Sequence, residues 1–569
     1  MAAFVESSNY SHVLQKGAAV VSTLEDRADG PHPSIQTKQV TACRINQLQI
    51  NGFINQNTGV ANFLNVPYAR IPARFCEATL IDPRKEIGVI EAVRYGPCCP
   101  QPFDVIHDMT GHLYPKKIDI TNSSEFACLS VNIYAPPSAV GSRNRLPVTA
   151  WIHGGAFTYG DASDEYDGNY IVQHSMSIGK PVIVVTMNYR VGPYGFLTSK
   201  EIREESLARG EKGFANQGYH DQRLGLQWIQ QNIQFWGGNG YEITAAGESA
   251  GACSILTHLR SDFPAFQRAF VMSAAPLTPT PFSHSQERFD ALIAKIGLPT
   301  GAPAGDKLAA LRSLTCDELN KIHGPGVSPP TYDPEFYPDH EEGFSLETKA
   351  PLPAWLRGMV VGNTTEEAAL FVPRSISGAQ AVSMVKKAFG GDADLCREVL
   401  ALYDIKADDD TPGSGTDGVV RLATHATFGQ MAQTIASGHH SEVPLSLYSF
   451  EQRDPFPGSP WKGRAFHSLG NAMLFRLPTV AGPDADPGTR LTSDKFSEAL
   501  ISLTNGEQPW EVYDGEGRKK MVFDGERSGL VQAGGKAPWA DLASTPERSA
   551  SFGTCGLSLI SGSIVEANS

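Results

Sequence analysis

No stretch of this 569-residue chain approaches the ~20 consecutive apolar residues that a membrane-spanning helix needs. The opening segment also lacks the charged region and long apolar run of a secretory leader, since Gly17 to Leu24 is short and mild. These two absences point to a cytoplasmic protein with no stable membrane anchor. Basic residues are in deficit: 47 Lys and Arg stand against 61 Asp and Glu, a net charge of −14. No Lys/Arg run breaks that balance, which argues against nucleic-acid binding. The nine cysteines, at 43, 76, 98, 99, 128, 253, 316, 396 and 555, are odd in number and irregularly spaced, unlike a disulfide framework. No C-x-x-C or H-x-x-x-H pattern offers a zinc site, and His439-His440 reads as a surface pair in a polar stretch. No metal and no organic cofactor is expected. Hydrophobic residues make up 41% of the chain, enough for a sizeable core.

Residues 1–35 are polar and irregular and read as a loose arm. Short strands are predicted at Val40–Ile45, Leu48–Ile54 and 61–68. Arg145–His153 is an apolar strand running into glycines. Lys180–Asn188 is almost continuously apolar and β-branched, the pattern of a strand covered on both faces. Asp221–Phe235 places Leu224, Trp228, Ile229 and Ile233 on one helical stripe. A strand at Glu242–Ala246, a helix at 250–259 and a later strand at Val443–Glu451 continue the alternation. The fold class this implies is α/β, a central, mostly parallel sheet with helices on both faces. One catalytic domain is expected over 36–532, with helical or loop insertions near 100–127 and 275–430 and a peripheral Ser/Gly/Ala-rich tail over 533–569. Pro/Gly/Asp clusters at 299–305 and 407–418 read as surface loops.

The chemistry is concentrated at Gly247-Glu248-Ser249-Ala250-Gly251, a G-x-S-x-G sequence between a predicted strand and a predicted helix. Such a turn lifts the serine hydroxyl into a cleft and aims the helix N-terminus at it. Serine is a weak nucleophile on its own and needs a base and a carboxylate that orients the base. It also needs donors for a developing oxyanion. His153-Gly154-Gly155 follows an apolar strand and can supply the Gly154 and Gly155 N–H groups, with Ala250 as a third. Glu248, beside the serine, is expected to have a buried partner, with Arg190 as the suggestion.

Several ordered segments make the chain resemble the type-B carboxylesterases, the group of fungal lipases and cholinesterases. They are Asn65-Val66-Pro67-Tyr68-Ala69 through Arg74-Phe75, Gly96-Pro97-Cys98-Cys99-Pro100-Gln101, and Glu125-Phe126-Ala127-Cys128-Leu129 to Tyr134. Asn188-Tyr189-Arg190-Val191-Gly192 to Leu197 and the Asn216 to Asn232 helix complete the set. The resemblance runs from about 40 to 525 and implies an α/β-hydrolase fold and a Ser-Glu-His triad in that order. Its acid segment fits Gly362 to Phe371, with Glu367 as the acid, Glu366 as its rival and Ala368 in place of a glycine. Its base segment fits Gly463 to Gly470, with His467 as the base and Gly470 where an acidic residue is common. It also implies a disulfide between Cys99 and Cys128, closing a loop that contains Phe103, His107 and Tyr114; a reducing compartment would oppose that bond. The tryptophan that cholinesterases carry in this loop is absent, so choline esters are not expected. The implied activity is hydrolysis of small-molecule carboxylic esters. An acyltransferase or lactonase using the same triad is the alternative, and a catalytically inactive scaffold is the alternative of another class. Oligomeric state has no signature in the sequence.

Overall fold

The computed structural model describes residues 39–102, 110–114, 122–338, 340–343, 352–389, 392–437, 442–513, 519–533, 539–540, 542–543 and 545–566. Val40–Ser569 forms one compact unit. Its frame is a large sheet whose strands are β1 (Gln39–Ile45), β2 (Leu48–Ile54), β3 (Ala61–Pro67), β4 (Ser130–Ala135), β5 (Leu146–Ile152), β6 (Ile183–Met187), β7 (Gly238–Glu248), β8 (Arg268–Met272), β9 (Gly358–Thr364), β10 (Leu445–Phe450), β11 (Lys519–Phe523) and β12 (Gly529–Gln532). Their order across the sheet is β1-β2-β3-β4-β6-β5-β7-β8-β9-β10-β11-β12, with Gly88–Glu91 beside β2. The run from β6 through β5, β7, β8, β9 and β10 to β11 is parallel. The pairs β2–β3, β3–β4, β4–β6 and β11–β12 are antiparallel.

The central strands are apolar on both faces because each face has its own core. Ile183, Val185 and Met187 enter one core, and Val182 and Val184 enter the other. Ala150 and Ile152 of β5 likewise face away from Trp151. The helix predicted at 221–235 is α1 (Gln217–Asn232), followed by a 3-10 turn over Ile233–Trp236. Its predicted stripe packs against the first core. Helix α2 (Ala250–Arg260) follows β7 directly. The second core takes α3 (Thr416–Thr424) and a π turn over His425–Gly429, and the α4 helix that follows (Gln430–Ser437) crosses to the first core with Met431, Ala432 and Ala436. The second core also takes α5 (Pro487–Thr504) and α6 (Pro546–Glu566).

Two loop expectations are corrected at their edges. The 299–305 cluster ends in a helix that begins at Ala304, and the 407–418 cluster ends in α3, which begins at Thr416. In both places Pro or Gly supplies the residue before the first turn (Pro303 and Gly415), so the breakers mark a helix start. No helix among the described residues is long and apolar enough to cross a membrane.

Candidate active site

The parallel strands deliver their chemistry at their C-terminal ends. β7 ends at Glu248, and Ser249 turns the chain into α2 with φ 56° and ψ −122°. A non-glycine residue at such angles is strained, and strain of this kind persists where the surroundings enforce it. Close packing enforces it here: a Cβ on Gly251 would sit 2.0 Å from the Ile152 carbonyl oxygen. The Ser249 N–H donates to the Met272 carbonyl at 3.0 Å, which pins the turn to the end of β8.

β5 ends beside it. Gly154 approaches so closely that a Cβ there would lie 3.1 Å from Ser249 Cβ. Gly155 has φ +100°, open to glycine and costly for other residues, and its carbonyl accepts from the N–H groups of Thr158 and Tyr159. Gly154, Gly155, Ser249 and His467 line one cleft of about 540 Å³, its open mouth included. Ala250, first residue of α2, lies buried behind Ser249. Its backbone N–H belongs to the helix turn that has no intrahelical acceptors.

His467 donates from Nδ1 to Glu367 Oε2 in a short contact. Glu367, fully buried at the start of a 3-10 turn after β9, is fixed in turn. Its Oε1 accepts from the Ser273 hydroxyl at 2.5 Å and from the Thr364 N–H at 2.6 Å. Its rival Glu366 points elsewhere, accepting from Arg464 Nη1 at 2.9 Å and from the Ala465 N–H at 3.1 Å. The rings of Phe371 and Phe428 pack on the imidazole with centroids 5.2 and 5.0 Å away. Sequence reasoning missed Ser273 and Phe428, which reach the site from β8's end and from the π turn without a motif of their own.

The suggested pairing of Glu248 with Arg190 is not what the structure holds. Arg190 is bonded to Asp221 on α1, Nε to Oδ2 at 2.7 Å. Glu248 instead sets Oε1 2.9 Å from His467 Nε2, off the line of a good hydrogen bond, and its Oε2 accepts from Asn471 Nδ2 at 3.4 Å. Burial would lower the His467 pKa, but Glu248 and Glu367 outweigh it and push the value up to about 10. Among the described residues no hydrogen bond joins Ser249 to His467; the Nε2 that would serve it faces Glu248. Glu165 adds a carboxylate to the cleft wall, accepting from Tyr114 at 2.6 Å, and no Lys or Arg is among the lining residues described.

Cys99 and Cys128 are buried thiols. Burial raises the Cys99 pKa well above its ordinary value, and the neighbouring Cys128 adds to the rise. Phe103 and His107 of the enclosed loop, and His439-His440, lie outside the described residues.

A strained serine between a parallel strand and a helix, facing a buried histidine–carboxylate pair across a cleft, defines an α/β-hydrolase with a serine-hydrolase site. The profile described as "Carboxylesterase family" matches residues 39–523, and the chain belongs to that family. It is 29% identical over 493 residues to the para-nitrobenzyl esterase of Bacillus subtilis (strain 168), covering 82% of this chain and 92% of that one. It is 28% identical over 477 residues to lipase 3 of Yarrowia lipolytica (strain CLIB 122 / E 150), covering 80% and 86%. Among solved structures, a thermophilic pNB esterase superposes with a TM-score of 0.67 at 23% identity, covering 91% of this chain and 100% of that one. This chain is an enzyme of the carboxylesterase/lipase type.

Proposed function

We propose that the enzyme hydrolyses small-molecule carboxylic esters through Ser249, His467 and Glu367 by way of an acyl-enzyme. The observation that carries this reading is the His467–Glu367 contact opening onto the cleft of the strained Ser249 turn. With Nε2 unprotonated and free of Glu248, His467 takes the Ser249 hydroxyl proton as the oxygen attacks the ester carbonyl. Glu367 keeps the other proton on Nδ1 and stabilises the imidazolium. The N–H groups of Gly154, Gly155 and Ala250 receive the oxyanion of the tetrahedral intermediate. His467 returns its proton to the leaving alcohol. Water, deprotonated by the same nitrogen, then releases the acid and restores Ser249. Each proton passes through Nε2, so the cycle needs neither metal nor organic cofactor.

The test is a p-nitrophenyl ester series from acetyl to palmitoyl, with wild type and Ser249→Ala. Wild type is expected to cleave part of the series, and Ser249→Ala to lose at least about 10⁴-fold in kcat. A fluorophosphonate is expected to label wild type at Ser249. Turnover that survives Ser249→Ala, or failure of Ser249 to take the label, would overturn the reading.

A further inference from the structure

The family match ends at residue 523, yet the chain goes on to α6, whose inner stripe buries Phe552, Cys555 and Leu559. That stripe, spaced by three and four residues, packs on α3 and on the π turn over His425–Gly429. The approach is backbone-close: a Cβ on Gly556 would lie 2.4 Å from Thr427 Oγ1 and 2.8 Å from Ala426 Cβ. Beyond the turn, Gln430 Nε2 donates to the Ser549 carbonyl at 3.2 Å. At its first residue, the His425 ring lies 6.4 Å from the ring of Trp539, which stacks on Phe552 at 5.9 Å. The π turn is therefore gripped by the C-terminal segment along its length.

The same turn reaches the catalytic groups. Phe428, its fourth residue, sets its ring on His467 with centroids 5.0 Å apart. Thr424, the residue before the turn, accepts the Ala368 N–H at 3.0 Å, one residue after Glu367. The rod of α3, π turn and α4 thus touches both the ring of the base and the turn of the acid. A π turn is a wide, rare geometry, common at functional sites and kept where packing demands it.

We propose that α6 is a positioning element for the catalytic base: by pressing on Ala426 and Thr427 it holds the π turn so that Phe428 fixes the His467 ring. The inference rests on the triad reading above. It acts through geometry, because the imidazole must keep Nδ1 on Glu367 while Nε2 reaches Ser249, and a 1 Å displacement costs on the order of 10²-fold in rate.

The test uses the full chain with Gly556→Leu, the milder Gly556→Ala, Phe428→Leu and the Gly556→Ala/Phe428→Leu double variant. Each single variant is expected to lower kcat about 10-fold with KM within about 2-fold, the signature of misplaced catalytic groups. The acid limb of the pH–rate profile is expected to move with kcat, which a merely structural defect would not cause. The double variant is expected to fall little below Phe428→Leu alone, because both changes act through one contact. If Gly556→Leu does not fold, Gly556→Ala carries the same comparison. A folded Gly556→Ala enzyme with wild-type kcat and pH profile, or fully additive losses, overturns the proposal and leaves the triad reading standing. Absence of Ser249-dependent turnover in wild type overturns both.

Discussion

His467 is fully buried between two carboxylates, so its charge is decided by which influence is larger. Burial alone would strip its proton, whereas Glu248 and Glu367 hold it there with a pKa near 10. In the mechanism we propose, His467 is the base and must be unprotonated to act, so the acid limb of kcat/KM is expected to lie above the ordinary imidazole value of about 6.5. Glu248→Gln removes one of the two charges and leaves Glu367 in place. The limb is then expected to move down by at least about one pH unit, measured on a short p-nitrophenyl ester. An unmoved limb would mean that Glu248 has no hold on the proton. The same shift has a stability side. A raised histidine pKa stabilises the fold fully below about pH 6.5, and the gain is lost as pH rises towards about 10. The wild-type Tm is therefore expected to fall between those limits more steeply than the Glu248→Gln Tm.

At the scale of elements, the elbow depends on two backbones passing where no side chain fits. Gly251→Val would drive a Cβ into the Ile152 carbonyl at the end of β5, the strand that leads to Gly154 and Gly155. Loss of fluorophosphonate labelling is expected, together with a Tm lowered by several degrees; full labelling would mean that the turn has slack. This part of the site was legible in the sequence because strand, turn and helix are all local there. The predicted β-rich segments at 145–153 and 180–188 coincide with β5 and β6, since burial on both faces leaves a continuous apolar run. The choice between Glu366 and Glu367 was not local. Adjacent glutamates share every neighbour in sequence, and only the 3-10 turn after β9 sends one to His467 and the other to Arg464. Nor was α6 legible. Its Ser, Gly and Ala content reads as a weak helix former, while in the fold small residues are what let the helix back approach the π turn.

Across the whole molecule, the segments that resemble the family turn out to be one another's partners. Arg74 of the first meets Glu125 of the third at 2.7 Å with both side chains buried. Arg190 meets Asp221 of the α1 segment at 2.7 Å, with relative exposures of 1% and 0%. Arg190 Nη1 also donates to the Cys76 carbonyl at 2.7 Å, so one guanidinium ties three distant stretches beneath the site. A buried pair of this kind repays its own desolvation and little more, but its halves cannot stand alone. Arg190→Met leaves the Asp221 carboxylate buried without its counter-charge and is expected to cost about 3–5 kcal/mol in urea unfolding. Arg190→Met with Asp221→Leu removes both charges and is expected to recover a substantial part of that loss. If the double variant is as unstable as the single one, the damage comes from the lost Cys76 bond and altered packing, and the charge pair is not what holds these segments together.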